Sequence, residues 1–83
     1  MKYELSGHAR TVISERGIQP EWVERVLDRP DLVREDRDDA ELEHRLGVVK
    51  EHGGRVPRVM INKTTTPVRL VTAYFDRAMK GRL

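Results

Sequence analysis

The chain contains no cysteine, so neither a disulfide nor a thiolate metal site can hold it together. Its apolar runs are short. None approaches the roughly 20 residues that a bilayer-spanning helix needs, and Met1-Lys2-Tyr3-Glu4 lacks the apolar stretch of a signal peptide. A cytoplasmic setting without a membrane partner is therefore expected. Aromatic residues are scarce, with one Trp, one Phe and two Tyr, which leaves few rings for stacking on nucleic-acid bases. His8, His44 and His52 show no helical or His-Glu spacing of a metal site, and Gly53-Gly54 is not followed by the Lys-Ser/Thr of a phosphate-cradling loop. Neither a metal nor a cofactor is expected. One sign of charge is also missing locally: no Asp or Glu lies between Glu51 and Asp76.

What is present is enough for one domain over residues 1–83, near the lower size limit for folding on a single core. A homodimer interface or a partner protein is a possible aid. Formal charge is unevenly placed. Residues 21–41 carry a net −5 and residues 42–83 a net +6, within a total of +2. Such a division suggests two surfaces with different partners, or simply a solvated charge asymmetry.

The pattern predicts two helices and then a sheet. Tyr3-Glu4-Leu5 is a short strand or an irregular lead-in. Ser6 suits an N-cap, and His8 to Glu15 reads as a helix with Ala9, Val12 and Ile13 on one stripe. Gly17 fits the left-handed position just past its end. Pro20 suits the first turn of a second helix, whose apolar face is Trp22, Val23, Val26 and Leu27 and which Pro30 stops. Asp31 to Glu35 follows as a strand, Asp36 to Glu41 as a charged loop, and Leu42 to Glu51 as a longer strand with Gly47 marking a bulge or a close approach. His52-Gly53-Gly54 is a turn signal. Two β-branched arms flank Thr64-Thr65-Thr66-Pro67, giving a hairpin over Arg55 to Phe75. Pro57 implies an edge or a bulge, and the terminal segment from Arg77 is frayed or a last helical turn. The expected fold is α+β, with both helices on one face of a three- or four-stranded antiparallel sheet. The other face is left uncovered, to be solvated or to bind something.

The residues His8-Ala9, Arg16-Gly17-Ile18, Val23, Leu27 and Pro30, with a closing Val71-Thr72-Ala73-Tyr74, resemble the family of small bacterial proteins called DUF4258. The resemblance spans nearly the whole chain through short motifs. It implies kinship with RelE/ParE-type toxins of toxin–antitoxin modules, which pack two helices against a twisted antiparallel sheet and include ribonucleases and gyrase inhibitors. It further implies an RNA-directed, toxin-like domain with an antitoxin-like partner. Ribonucleases of that kind use Arg, Lys and Tyr on the exposed sheet face, and the matching types here are Arg58, Lys63, Arg69, Tyr74 and Arg77.

Metal-independent RNA cleavage needs a base for the 2′-OH, cations for the developing phosphorane charge and an acid for the leaving oxygen. Arg58, Arg69 and Tyr74 are the candidates on the hairpin. His8, from the family-like opening, is a candidate base. Lys63, Arg45 and Arg77 are candidates for holding RNA phosphates. Alternation along the strand requires that either His44 or Arg45 face the open side, and that only one of Tyr74 and Phe75 be exposed. Trp22 belongs to the core. The competing function is a catalytically silent module that binds a protein strand at an exposed sheet edge near Pro57, or binds nucleic acid through its basic half.

Overall fold

Local chemistry sets the helix boundaries. In the computed structural model, which describes all 83 residues, Ser6 Oγ accepts a hydrogen bond from Ala9 N at 3.0 Å and so caps α1 (Gly7–Glu15). Gly17 follows the helix at φ +66°, a conformation that costs a residue with a β-carbon about 1–2 kcal/mol. Ile18 then folds back into the core. Pro20 opens α2 (Pro20–Asp28) at its first turn. The apolar stripes expected on both helices are the buried ones: Ala9, Val12 and Ile13 on α1, and Trp22, Val23, Val26 and Leu27 on α2.

Five strands follow the order β1 (Tyr3–Leu5), β5 (Val68–Phe75), β4 (Pro57–Asn62), β3 (Leu42–Leu46), β2 (Leu32–Glu35) across one sheet. Short 3-10 turns occupy Lys50–His52 and Arg77–Met79. The α+β class and the two helices agree with the sequence pattern. The count of three or four antiparallel strands is corrected: β1 joins as a fifth strand, parallel to β5 through Tyr3↔Val68, Glu4↔Arg69 and Leu5↔Leu70. Three residues carry too little pattern to reveal a pairing that spans almost the whole chain. Residues of α1 and α2 cover one face, meeting Val59, Ile61, Leu70 and Ala73 in a single core cluster.

Two further expectations change. The strand read over Leu42 to Glu51 ends at Leu46, and only a Val49↔Arg55 bridge continues the ladder. At Gly47 a β-carbon would stand 3.0 Å from Val26 Cγ2, so α2 reaches the backbone there. Val26 is itself fully packed at 1% exposure, and Gly47→Ala is expected to destabilise the fold by about 1–3 kcal/mol through overpacking. Urea denaturation checks this; a variant as stable as wild type would show that the neighbouring helix moves freely. Pro57, second, does not mark an exposed edge. β4 is the central strand, paired with β3 and β5, and Pro57 is its first residue, where a missing N–H is tolerated. The sheet's edges are β1 and β2, so the proposed docking edge near Pro57 does not exist.

Between Met60↔Thr72 and Ile61↔Leu70 the register slips by one residue, which leaves Val71 as a bulge in β5. The slip has a consequence for side-chain direction. Leu70 and Ala73 both enter the core while Thr72 and Tyr74 point to the uncovered face, so Tyr74 does not share a face with Leu70 as strict alternation requires.

Candidate functional site on the uncovered sheet face

Residues opposite one another in a ladder share a face. One row across the face opposite the helices is Leu32, Leu46, Arg58 and Tyr74, in which Leu46 is itself fully buried, and the next is Arg34, His44, Met60 and Thr72. Of His44 and Arg45, it is therefore His44 that faces outward. Four polar side chains from these rows and the flanking loops form a hydrogen-bonded chain. Asp36 Oδ1 lies 2.7 Å from His44 Nε2, His44 Nδ1 lies 2.9 Å from Arg58 Nη1, and Arg58 Nε donates to Asp76 Oδ2 at 2.8 Å. All four are shielded, with side chains 12–19% exposed.

These partners assign the histidine tautomer. A guanidinium can only donate, so His44 Nδ1 is an acceptor and its ring proton sits on Nε2, directed at Asp36. Asp36 is fixed in turn from the charged loop, where its other oxygen accepts from Asp38 N and Asp39 N at 3.1 and 3.0 Å. The His44 bond, followed by these amide bonds, holds the Asp36 carboxyl below its ordinary value. Asp76 is anchored likewise, because its Oδ1 caps the following 3-10 turn through Ala78 N at 3.0 Å. Arg58 is thus clamped from two sides. Tyr74, directly opposite it on β5, is 37% exposed.

The uncovered face is not purely basic. The loops before β3 and after β5 bring Asp36 and Asp76 to it, which the run of acid-free sequence between Glu51 and Asp76 does not suggest. Asp36, His44 and Asp76 are the members that sequence reasoning did not place in the site. The signal for His44 was available in its alternation with Leu42 and Leu46. Neither aspartate had one, since each is a loop residue whose direction depends on the local turn.

The other sequence candidates are dispersed. Arg69 is on the same face but opposite Asn62, four residues along β4 from Arg58, or about 13 Å away. Lys63 lies in the hairpin turn and approaches Glu35 at 3.5 Å. His8 is exposed on α1, and its Nε2 approaches Thr72 Oγ1 at 3.5 Å, so it flanks the face at the β5 side without joining the cluster. Arg45 points to the helix side, where it donates to Leu27 O at 2.6 Å and to Glu43 Oε2 at 2.8 Å. Its guanidinium caps the C-terminal end of α2 and is not on the open face. Arg77 lies past the end of β5, away from Arg58, beside Arg55 and Lys80. No three His, Asp or Glu side chains converge as a metal site.

The largest concavity, about 740 Å³ between α2 and the Lys50–His52 turn, is elsewhere. There Arg25 grips Glu51 through two bonds of 2.9 and 2.6 Å. Hydrogen bonding from Arg25 is the first cause that holds the Glu51 carboxyl at about 2 rather than 4.5. A depressed carboxylate contributes stability above its unfolded value and loses it as pH falls through the folded one. Stability should therefore decline between pH 4.5 and about 2, with Asp36 acting in the same direction. Because the pair is half exposed, the effect should be small and screened by salt. Urea midpoints measured across that range at low salt should show a shallower decline in Glu51→Gln than in wild type; equal slopes would exclude this pair as a source.

The residues of the opening and closing sequence motifs meet in space. Beyond Leu5, β1 no longer pairs with β5, and α1 takes its place. Ser6 Oγ donates to Val71 O at 3.1 Å and Arg16 Nη1 donates to Ala73 O at 2.7 Å. These bonds satisfy carbonyls that would otherwise be orphaned along a bulged edge. The two motifs are thus explained first by sealing this seam. Comparison with known proteins agrees with their joint presence: the family model described as "Domain of unknown function (DUF4258)" matches residues 5–75. No curated protein and no solved structure matches the chain. With its seam motifs, both helices and all five strands inside or touching the matched span, the chain belongs to the DUF4258 family.

Proposed function

We propose that this chain is a toxin-like domain that acts on RNA in the cytoplasm, as a metal-independent endoribonuclease working from the uncovered sheet face. The observation that carries the reading is Arg58, clamped by Asp76 and His44 beside the exposed ring of Tyr74. A guanidinium fixed in this way meets the developing charge of a phosphorane without having to reorganise. The kinship with RelE/ParE-type toxins that the family resemblance implies supports the same reading.

In the proposed reaction a phosphodiester takes up Arg58 N–H groups, and His44 Nδ1 is released from its bond to Arg58. Its lone pair accepts the proton of the 2′-OH while Asp36 holds Nε2–H, in the way an acid orients a catalytic histidine. The 2′-oxygen bonds to phosphorus, the bond from phosphorus to the 5′-oxygen breaks, and the Tyr74 hydroxyl protonates the departing oxygen. The products are a 2′,3′-cyclic phosphate and a 5′-hydroxyl; the His44 proton returns to Tyr74 through water. His8, Arg69 and Lys63 serve flanking nucleotides rather than the reacting phosphate. Partner strands, including an antitoxin-like one, are left the edges β1 and β2.

A second reading has its own observation. Asp76 holds the one guanidinium directly and Asp36 adds a second carboxylate behind His44, so the cluster carries no net positive charge, as in a catalytically silent binding module. Incubation with single-stranded RNA decides between them. Cyclic-phosphate ends that form in the presence of EDTA and disappear in Arg58→Ala support the enzyme. Undiminished cleavage by Arg58→Ala removes this site, whereas salt-dependent binding without any cleavage supports the silent module.

A further inference from the structure

A second set of cations sits at the end of the sheet and is not part of the Arg58 cluster. Arg55, Arg77 and Lys80 surround Phe75 at the mouth of a cavity of about 380 Å³. None of the molecule's ion pairs includes any of the three. The nearest acids in sequence are committed elsewhere, Glu51 to Arg25 and Asp76 to Arg58 and Ala78 N. Arg55 does have a partner, His52 Nε2 at 3.3 Å, but a histidine carries no negative charge and cancels none.

The pocket is built from the core outward. Trp22, 7% exposed, lies 4.6 Å from the His52 ring, and His52 lies 5.4 Å from Phe75. The Arg55 guanidinium carbon sits 3.8 Å above the Phe75 ring. A guanidinium stacked on an aromatic face is held flat and loses little freedom when it binds an anion. Three uncompensated cations, one of them pre-set by this stack, favour a dianionic or polyanionic oxygen ligand over a carboxylate peptide, because phosphate accepts several bonds from Arg at once.

We infer that Arg55, Arg77 and Lys80 form a second phosphate subsite, which takes a phosphodiester of the same RNA strand that lies on Arg58. The inference rests on the RNA reading above. Its geometry comes from the hairpin: Phe75 and Tyr74 are consecutive on β5 and point to opposite sides, and Asp76 and Arg77 repeat that division. A strand crossing the end of β5 passes from one set of cations to the other. The bases are free to stack on the outer plane of Arg55, as unpaired bases do on guanidinium groups.

The test uses a 2′-O-methylated single-stranded oligoribonucleotide, which cannot be cut, and the double variant Arg77→Gln/Lys80→Gln. Both side chains are exposed, so the variant should fold. Affinity should fall about tenfold, and the salt slope should flatten by about 0.7, since one phosphate of a single strand is no longer neutralised. Pyrophosphate should shift the amide signals of Arg55 and of residues 75–80 in wild type but not in the variant. If wild type binds the oligonucleotide and the variant binds it equally with an unchanged slope, the subsite is overturned and the RNA reading stands. If pyrophosphate shifts those amides but the oligonucleotide does not bind, the anion pocket is upheld and the RNA reading falls. No response to either ligand overturns both.

Discussion

Trp22→Ala should cost this fold about 3–5 kcal/mol, the usual range for emptying a buried tryptophan site. Domains of this size hold roughly 0.05–0.15 kcal/mol per residue, so such a loss consumes a large share of the total stability. Trp22 is exceptional because it joins two structures. It belongs to the core cluster with Val23, Val26 and Leu27 of α2 and with Val59 and Ala73 of the sheet. It also supports His52 at 4.6 Å and meets Phe75 edge-on at 6.3 Å. No other side chain is large enough to fill the space, since the chain has only one Phe and two Tyr besides. Trp22→Phe should recover about half of the loss by keeping a ring against the same neighbours. Because Trp22 is also the only tryptophan, unfolding must be followed by far-UV circular dichroism. A drop of at least about 12 °C in midpoint is expected, at about 4–8 °C per kcal/mol. A shift of only a few degrees would mean that α2 collapses onto the sheet and refills the site.

Trp22 also shows why the helical half of the fold was legible in the sequence. Its spacing with Val23, Val26 and Leu27 has one helical solution, and Gly17, Pro20 and Pro30 punctuate both helices where their backbone chemistry demands. Such signals are local, and local signals survive in a single sequence. The sheet is legible only where it is continuous. The β4–β5 hairpin was evident from its two β-branched arms, but the parallel β1–β5 pair depends on residues more than sixty positions apart. The bulge at Val71 leaves no compositional trace, and it changes which side chains share a face: Tyr74 goes with Thr72 and Arg58, not with Leu70. Pro57 misled for a related reason. A proline at the first position of a strand is compatible with a central location, and only the neighbouring strands reveal which location is used.

For the candidate site, the same distinction separates Arg58 and Tyr74 from their partners. Arg58 and Tyr74 are direct partners in the β4–β5 ladder, so that pairing places them on one face. Asp36 and Asp76 are loop residues oriented by amide bonds two or three residues away, at Asp38, Asp39 and Ala78. Sequence therefore suggested a bare basic surface, whereas the fold presents a guanidinium between carboxylates and a histidine. Arg45 was drawn to the opposite side by a different demand, the unsatisfied carbonyl of Leu27 at the end of α2.

Arg58→Ala should lower the rate of RNA cleavage by about 10²–10³, the range for losing one fixed charge-stabilising donor. It should also destabilise the domain by about 1.5–3 kcal/mol, since charge-assisted hydrogen bonds to Asp76 and His44 disappear together. The two effects can be separated by measuring cleavage well below the unfolding midpoint and scaling it to the folded fraction. Arg58→Lys is the informative companion. It keeps the positive charge, but a single ammonium cannot occupy the positions of Nε and Nη1 and still meet a phosphate. Lysine should therefore recover most of the stability through Asp76 while leaving cleavage at least about tenfold down. Equal recovery of both would show that charge alone is used and that the clamp on Arg58 only stabilises the sheet. His44→Gln provides the remaining distinction. An amide can keep the hydrogen bonds to Asp36 and Arg58 but cannot take a proton from a 2′-OH, so the fold should be retained, oligonucleotide binding should persist, and cleavage should be lost. If His44→Gln cleaves at the wild-type rate, His44 positions Arg58 and is not the base, and the exposed imidazole of His8 becomes the residue to replace next.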